Sequence, residues 1–179
     1  MVEKITVKDF EDIIEITYED ILKYHGRQMI GGAALAFKMM LMTFPKLCDE
    51  IPVRGNFRFY SGIGSNGRGI MDAAEFVMRV KTYDQLELDL SYCEEKPGQV
   101  APNGGRYYFE IGYNEKCIQL YLKEGIIPDE FMEYSKLAKQ CKEANIPMKE
   151  EDQQKLLSLR QALANSIMES KPEDLFVII

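Results

Sequence analysis

The chain has 179 residues, of which 46% are apolar and 28% are charged, and its formal net charge is −7 at pH 7. This length is sufficient for one domain with a sizeable hydrophobic core, and the composition is that of a soluble globular protein. The net negative charge repels phosphate groups, so it argues against nucleic acid and anionic membrane surfaces as partners.

The sequence carries no pattern for export or for crossing a membrane. Its first residues mix charges, with Glu3 and Lys4, and no apolar run follows them, unlike a secretory signal. The longest apolar stretch, residues 30–42, contains Lys38 and is too short to cross a bilayer. The four cysteines are too far apart for a zinc ribbon or a dense disulfide framework: Cys48, Cys93, Cys117 and Cys141. We therefore expect reduced thiols and a cytoplasmic location.

A helix is predicted near the start of the chain. Thr6 has the spacing of a capping pair with Asp9, and apolar residues then recur at helical intervals up to Ile21. Gly26 is expected to end this helix, because glycine readily takes the left-handed conformation of a helix end. His25 then lies on the last turn.

A second helix is predicted over residues 30–44, ended by Pro45. Residues 31–34 at its start are two glycines followed by two alanines, with almost no side-chain bulk. Such residues are used where another backbone approaches closely, so we predict close packing there.

The middle of the chain is predicted to form a sheet. A strand over residues 56–61 and a short helix over residues 70–80 come first, separated by a glycine-rich loop. Strands over residues 85–93, 107–113 and 117–123 follow. In the first of these, apolar and polar side chains alternate, which predicts one dry and one wet face and favours antiparallel pairing. The last two strands have the spacing of a hairpin.

Two helices and an apolar tail complete the chain. One helix begins at Pro128, the other spans residues 150–169, and the tail over residues 172–179 is expected to pack against the body or a second copy of the chain. The pattern predicts an α+β fold: a helix-strand-helix unit followed by three mainly antiparallel strands in a mixed sheet, with C-terminal helices. We divide it into a core domain, residues 1–125, and a C-terminal helical extension, residues 126–179.

The glycine-rich loop allows three interpretations. Residues 62–67 match G-x-G-x-x-G between a strand and a helix, and Glu87 lies 25 residues after the first glycine, which is the pattern of a dinucleotide site. The strands that follow are antiparallel, however, and an acid is expected anyway on the polar side of a strand, so an ordinary glycine-rich turn is favoured. The third interpretation is a phosphate or carboxylate held by backbone N–H groups, with Arg68 nearby.

His25 is the only histidine in the chain. On the last turn of a helix it interacts favourably with the helix dipole and can donate to a free carbonyl. A metal site at His25 would need cysteine, carboxylate or a neighbouring protomer to complete it. A nucleophilic mechanism would need a partner that the sequence does not locate.

Three short segments carry a resemblance to a known family. His25-Gly26, followed by the small, aromatic, basic and methionine residues at 33–39, matches H-G-H-x-C-P-G-x-x-x-G-x-R-M with a one-residue insertion. Residues 69–75 correspond to a block near C-x-x-D-A-I/V-Q, and residues 172–176 are similar to an ending P-x-x-L-F. Together these motifs, which cover most of the chain, resemble the family named after the E-type component of formylmethanofuran dehydrogenase, here called the FmdE-like family.

The chain departs from that family at the residues that resemble metal ligands. Arg27 and Met29 stand where the family has its second histidine and its cysteine, and Gly69 replaces the cysteine of the second block. The loss of these groups argues against zinc or another transition metal as a cofactor and leaves His25 as the single metal candidate. The remaining residues suit an anion better than a cation. The predicted ligand-binding residues are His25, Arg27, Gly64, Asn66, Arg68 and Asp72.

The resemblance implies a non-catalytic binding or accessory protein. It would be a homodimer related to proteins of molybdenum or tungsten formylmethanofuran chemistry, that is, one-carbon metabolism, with a small ligand or anion bound near the His25 turn. The alternative is a small enzyme in which His25 acts as general acid or base, Asp72 orients it and the glycine loop holds an anionic substrate. The sequence offers no second titratable partner for His25, so we favour the binding protein.

Overall fold

The computed structural model describes residues 2–179. In chain order the elements are β1 (Lys4–Asp9), β2 (Asp12–Thr17), α1 (Tyr18–His25), α2 (Ile30–Leu47), β3 (Phe57–Ser61), α3 (Arg68–Met78), β4 (Leu86–Glu87), β5 (Tyr108–Tyr113), β6 (Lys116–Leu122), α4 (Asp129–Glu143), α5 (Glu150–Glu169), α6 (Pro172–Leu175) and β7 (Phe176–Ile178). Two 3-10 turns, Gly64–Asn66 and Leu90–Cys93, lie within the connections.

A mixed five-stranded sheet, with strand order β4-β3-β5-β6-β7, is the centre of the fold. Strands β3, β5, β6 and β7 pair antiparallel, whereas β4 runs parallel to β3. One face of the sheet packs against α2 and α3, and its inward side chains are buried: Phe57, Phe59, Phe109, Ile111 and Leu120. The predicted α+β class, with mainly antiparallel strands in a mixed sheet, is confirmed.

Helix α2 runs through the core. It has the length and the apolar composition of a membrane span, but 78% of it is buried by the rest of the protein. The predicted end at Pro45 is wrong, because the helix continues to Leu47. A proline in the last turn removes only one backbone donor, and the N–H of Cys48 still donates to the carbonyl of Phe44 at 2.9 Å.

Residues 4–17 form a β-hairpin, so the predicted helix that starts at Thr6 is wrong. In β1 the buried residues Ile5 and Val7 alternate with more exposed ones, which is the period of a strand. The turn between the strands is only two residues long and contains neither glycine nor asparagine, so the sequence gives no turn signal there. Phe10 takes a positive φ of 52° in this turn.

Helix α1 begins at Tyr18, after a capping box. Thr17 Oγ1 accepts the N–H of Asp20 at 3.2 Å, and the Asp20 carboxylate accepts the N–H of Thr17 at 3.0 Å. These hydrogen bonds to Thr17 lower the pKa of Asp20 to about 2. The predicted end of the helix, with His25 on the last turn and Gly26 after it, is confirmed.

The predicted strand over residues 85–93 is mostly wrong. Only Leu86–Glu87 pairs with the sheet, and Leu90–Cys93 forms a 3-10 turn. The Asp89 carboxylate accepts the backbone N–H and the hydroxyl of Ser91, at 2.9 and 2.8 Å, and this local bonding replaces a strand ladder. Cys93, which alternation would put on the polar side, is consequently buried.

Residues 126–179 pack on the same chain. Helix α5 has the predicted bounds and lies against α2, with three buried side chains: Leu163, Ala164 and Ile167. In the apolar tail, Leu175 and Phe176 are buried and β7 pairs with β6 at the edge of the sheet. The tail therefore adds a strand to the sheet that the middle of the chain forms.

Candidate functional site

The turn after α1 brings His25 towards the start of α2. Gly26 has φ of 95°, a conformation that other residues rarely adopt, and its N–H donates to the carbonyl of Leu22 at 2.8 Å. Met29 then takes the left-handed conformation before α2 begins. Between these two reversals the imidazole of His25 is enclosed, with only 3% of its side chain exposed.

The small residues at the start of α2 touch the start of α3. A Cβ atom added at Gly69 would lie 2.7 Å from the carbonyl oxygen of Met29 and 2.9 Å from the nitrogen of Ala33. A Cβ atom added at Gly32 would lie 3.2 Å from the nitrogen of Ile70. The predicted close approach of a second backbone is confirmed, and it places Asp72, one turn further along α3, beside the end of α1.

Both ring nitrogens of His25 are hydrogen-bonded within the protein. Nδ1 lies 2.9 Å from Asp72 Oδ2, and Nε2 lies 2.7 Å from the carbonyl oxygen of Gln28. A carbonyl only accepts, so Nε2 carries a proton. Burial of Asp72 opposes its ionisation, but hydrogen bonds from His25 and Lys81 outweigh this and lower the pKa of the carboxyl. An ionised carboxylate also only accepts, so Nδ1 donates as well and the ring carries a positive charge.

Two further cations lie at the same carboxylate. Lys81 Nζ is 3.1 Å from Asp72 Oδ1, and Arg68 Nε is 3.6 Å from Asp72 Oδ2. Asp72 itself is only 14% exposed, whereas the Arg68 side chain is 71% exposed. Three cations around one carboxylate leave an excess of positive charge. We call His25, Arg68, Asp72 and Lys81 the His25 cluster.

The other predicted site residues lie outside this cluster. Arg27 is bonded to Glu19 on the surface of α1. Gly64 and Asn66 belong to the 3-10 turn, and a Cβ atom added at Gly64 would lie 2.8 Å from the side chain of Leu90. The sequence therefore identified three members of the cluster, and it missed Lys81, which follows α3 without any periodic signal.

The glycine-rich loop is packed by protein atoms. A Cβ atom added at Gly62 would lie 2.7 Å from the carbonyl oxygen of Arg106 and 2.8 Å from that of Tyr108. Gly67 has φ of −80°, which any residue can adopt. These contacts account for Gly62 and Gly64 without a ligand, as expected of an ordinary glycine-rich turn.

The residues at the His25 cluster do not form a metal site of the family pattern. Within residues 2–179, no group of three His, Cys, Asp or Glu side chains is arranged to hold a metal ion. Gly69 stands where the family pattern has a cysteine, and the backbone of α2 occupies the place of even a Cβ atom. A thiolate ligand at this position would require α2 and α3 to move apart.

Two surface cavities lie elsewhere. One, of about 450 Å³, is bounded by β1, the second half of α2 and residues 48–52. The other, of about 340 Å³, lies on the sheet face opposite α2 and α3 and is lined from β3, β4, β5, β6 and Tyr92. None of the six predicted ligand-binding residues lines either cavity.

Comparisons of the chain with protein-family models, curated proteins and solved structures found no match. The resemblance to the FmdE-like family therefore depends on the motifs at residues 25–39, 69–75 and 172–176. The chemistry of the site has to be judged from its own geometry.

Proposed function

We propose that this chain is a non-catalytic binding or accessory protein of the FmdE-like kind, which holds an anionic group of a small ligand at the His25 cluster. One observation carries the proposal: both nitrogens of His25 are donors to acceptors within the protein. Such a ring has no lone pair for a metal ion and no free nitrogen to accept a proton from a substrate. Its contribution is positive charge.

The exposed part of the cluster has the chemistry of an anion site. Arg68 presents a planar guanidinium whose donors fit a carboxylate or a phosphate, and Lys81 adds a second cation beside it. Arg68 is also the first residue of α3, and that helix has no side-chain cap and no acidic residue in its first turn. The partial positive charge of the helix end therefore adds to that of the side chains. This local excess contrasts with the net charge of −7.

The enzymatic alternative has less support. It needs His25 as an acid or base and the glycine loop as a holder of substrate. The ring is 3% exposed and bonded on both sides, and Gly62 and Gly64 face protein atoms. We therefore retain the binding protein as the proposed function.

The proposal extends to location and assembly. All four cysteines are free thiols, which fits a reducing cytoplasm. The homodimer, and the relation to molybdenum or tungsten formylmethanofuran (one-carbon) metabolism, derive from the resemblance alone. Light scattering tests the assembly: a homodimer gives twice the chain mass of 20.6 kDa, and a mass of one chain at micromolar concentration contradicts it.

Calorimetric titration with inorganic phosphate and with acetate tests the anion site. We expect binding at low salt, and Arg68→Ala should weaken it about tenfold, since it removes a charge-assisted contact. Lys136→Ala is the matched control, because it removes one exposed positive charge from α4. The proposal fails if neither anion binds the unmodified protein, or if both variants weaken binding equally.

A further inference from the structure

The open face of the five-stranded sheet carries a groove of about 340 Å³, on the side away from α2 and α3. Cross-strand register builds it, because one row of residues lies directly opposite across four strands: Glu87, Tyr60, Glu110 and Gln119. In the neighbouring row, Gly112 separates Arg58 from Cys117. Gly112 has no side chain to fill the groove, and the guanidinium of Arg58 lies over it, 2.9 Å from the place of a Cβ atom.

Glu110 is fixed at the centre of this groove by three donors. Its Oε1 accepts from the Tyr108 hydroxyl at 2.5 Å, the Tyr92 hydroxyl at 2.8 Å and Gln119 Nε2 at 3.1 Å. The hydrogen bond to Glu110 raises the pKa of Tyr92, so that hydroxyl stays protonated and remains a donor. Within residues 2–179, all three of these donors bond to Oε1 and none bonds to Oε2. A carboxylate held in one orientation with one oxygen free is prepared for a further donor.

The charge of the groove is negative. Its lining contains three carboxylates, Asp84, Glu87 and Glu110, against one cation, Arg58. Arg58 is already engaged, since its Nη1 donates to the carbonyl of Asn114 at 2.7 Å. The groove therefore attracts cations.

Two tyrosine rings supply an aromatic wall beside Glu110. The rings of Tyr60 and Tyr92 meet edge to face, with centroids 4.9 Å apart. The ammonium group of Lys96 lies 4.9 Å from the centroid of Tyr92 and 5.5 Å from that of Tyr108. The rings around Glu110 therefore already accept an ammonium group from the chain itself, by a cation–π interaction.

We infer that this groove binds a small organic cation, with its ammonium group on the free oxygen of Glu110 and its apolar body against Tyr60 and Tyr92. The site is separate from the His25 cluster in place and opposite to it in charge. It does not depend on the proposed anion site, and an arginine variant of that cluster keeps the two distinguishable.

Benzylammonium is a suitable probe, with benzyl alcohol and benzoate as neutral and anionic analogues of the same size. In protein NMR titrations we expect benzylammonium to shift the amide signals of Tyr60, Glu110 and Cys117. Benzyl alcohol and benzoate should bind at least about tenfold more weakly, because they lack the charge-assisted contact. Equal or tighter binding of benzoate, or the absence of shifts at these amides, overturns the inference.

Variants locate the probe on Glu110 and on the aromatic wall. Glu110→Gln keeps the shape of the side chain and should weaken benzylammonium binding by about tenfold or more. Tyr92→Leu removes a half-exposed ring and should weaken it about threefold. Glu133→Gln on α4, which removes one exposed acid, and Arg68→Ala should leave binding unchanged. If Glu110→Gln does not fold, Tyr92→Leu decides, and unchanged affinity in that variant overturns the inference.

Discussion

At the scale of single residues, His25 is a bonded cation within the protein. Its two neighbours, the Asp72 carboxylate and the Gln28 carbonyl, both accept, so neither nitrogen is left for a metal ion. Asp72 in turn is the negative group that three cations share. The carboxylate therefore stabilises the arrangement as long as it is ionised.

The stability contributed by Asp72 should depend on pH. Its folded-state pKa is lowered, so the contribution is present above the unfolded pKa of about 4 and is lost as the pH falls through the folded pKa. Asp72→Asn should lower the free energy of unfolding by about 2 kcal/mol at pH 7. Urea denaturation at pH 7 and below about pH 4 measures the difference, which should shrink at acidic pH.

Glu133→Gln is the control for this prediction, because Glu133 is an exposed acid on α4. It should change the free energy of unfolding by less than about 0.5 kcal/mol at either pH. A loss in Asp72→Asn that is no larger than this, or one that persists unchanged in acid, would contradict the assigned role.

At the scale of elements, the contact between α2 and α3 decides where the site residues meet. Glycine and alanine at the start of α2 let the backbone of α3 approach until no side chain fits between them. That distance puts Asp72 next to His25, although the two are 47 residues apart in the chain. Neither helix carries the cluster by itself.

Gly69→Ala should disturb this contact, whereas Gly67→Ala should not. A methyl group at Gly69 would meet two backbone atoms at 2.7 and 2.9 Å, which only a shift of the helices can relieve. A methyl group at Gly67 meets its nearest neighbour at an ordinary 3.4 Å. We expect Gly69→Ala to lower the free energy of unfolding by about 1–3 kcal/mol, as overpacked cores do. Thermal unfolding of both variants checks this, and equal melting temperatures would refute it.

At the scale of the whole molecule, the two faces of the sheet have different surroundings. One face joins α2 and α3 in the hydrophobic core, and the other carries tyrosines and carboxylates around an open groove. The C-terminal tail belongs to the same sheet through β7. The last residues thus form one edge of the sheet, and β4 forms the opposite edge.

Phe176→Ala tests the contribution of the tail. The side chain is 2% exposed, so its truncation leaves a cavity under the sheet edge. We expect a loss of about 3–5 kcal/mol in the free energy of unfolding, measured by urea denaturation. Ile179→Ala, at a position that is 58% exposed, serves as the control and should cost less than about 0.5 kcal/mol. Similar losses in both variants would mean that the tail is not part of the cooperative core.

Signals that act within a few residues determined much of the fold. The end of α1 at Gly26 follows from the conformational freedom of glycine, and the bounds of α5 follow from its helical period. The alternation over residues 107–123 predicted the hairpin of β5 and β6. The hairpin over residues 4–17 was missed because its two-residue turn carries no glycine, and the strand over residues 85–93 failed because Asp89 bonds to Ser91.

Only the tertiary structure decided what surrounds each functional side chain. The sequence by itself identified His25, Asp72 and Arg68 as members of one site, and small residues as a place of close packing. It could not predict that Lys81 joins them, that both nitrogens of His25 are engaged, or that Glu110 gathers three donors from separate segments. Capping and periodicity are local, whereas hydrogen-bond partners and charge clusters depend on which distant segments the packed core brings together.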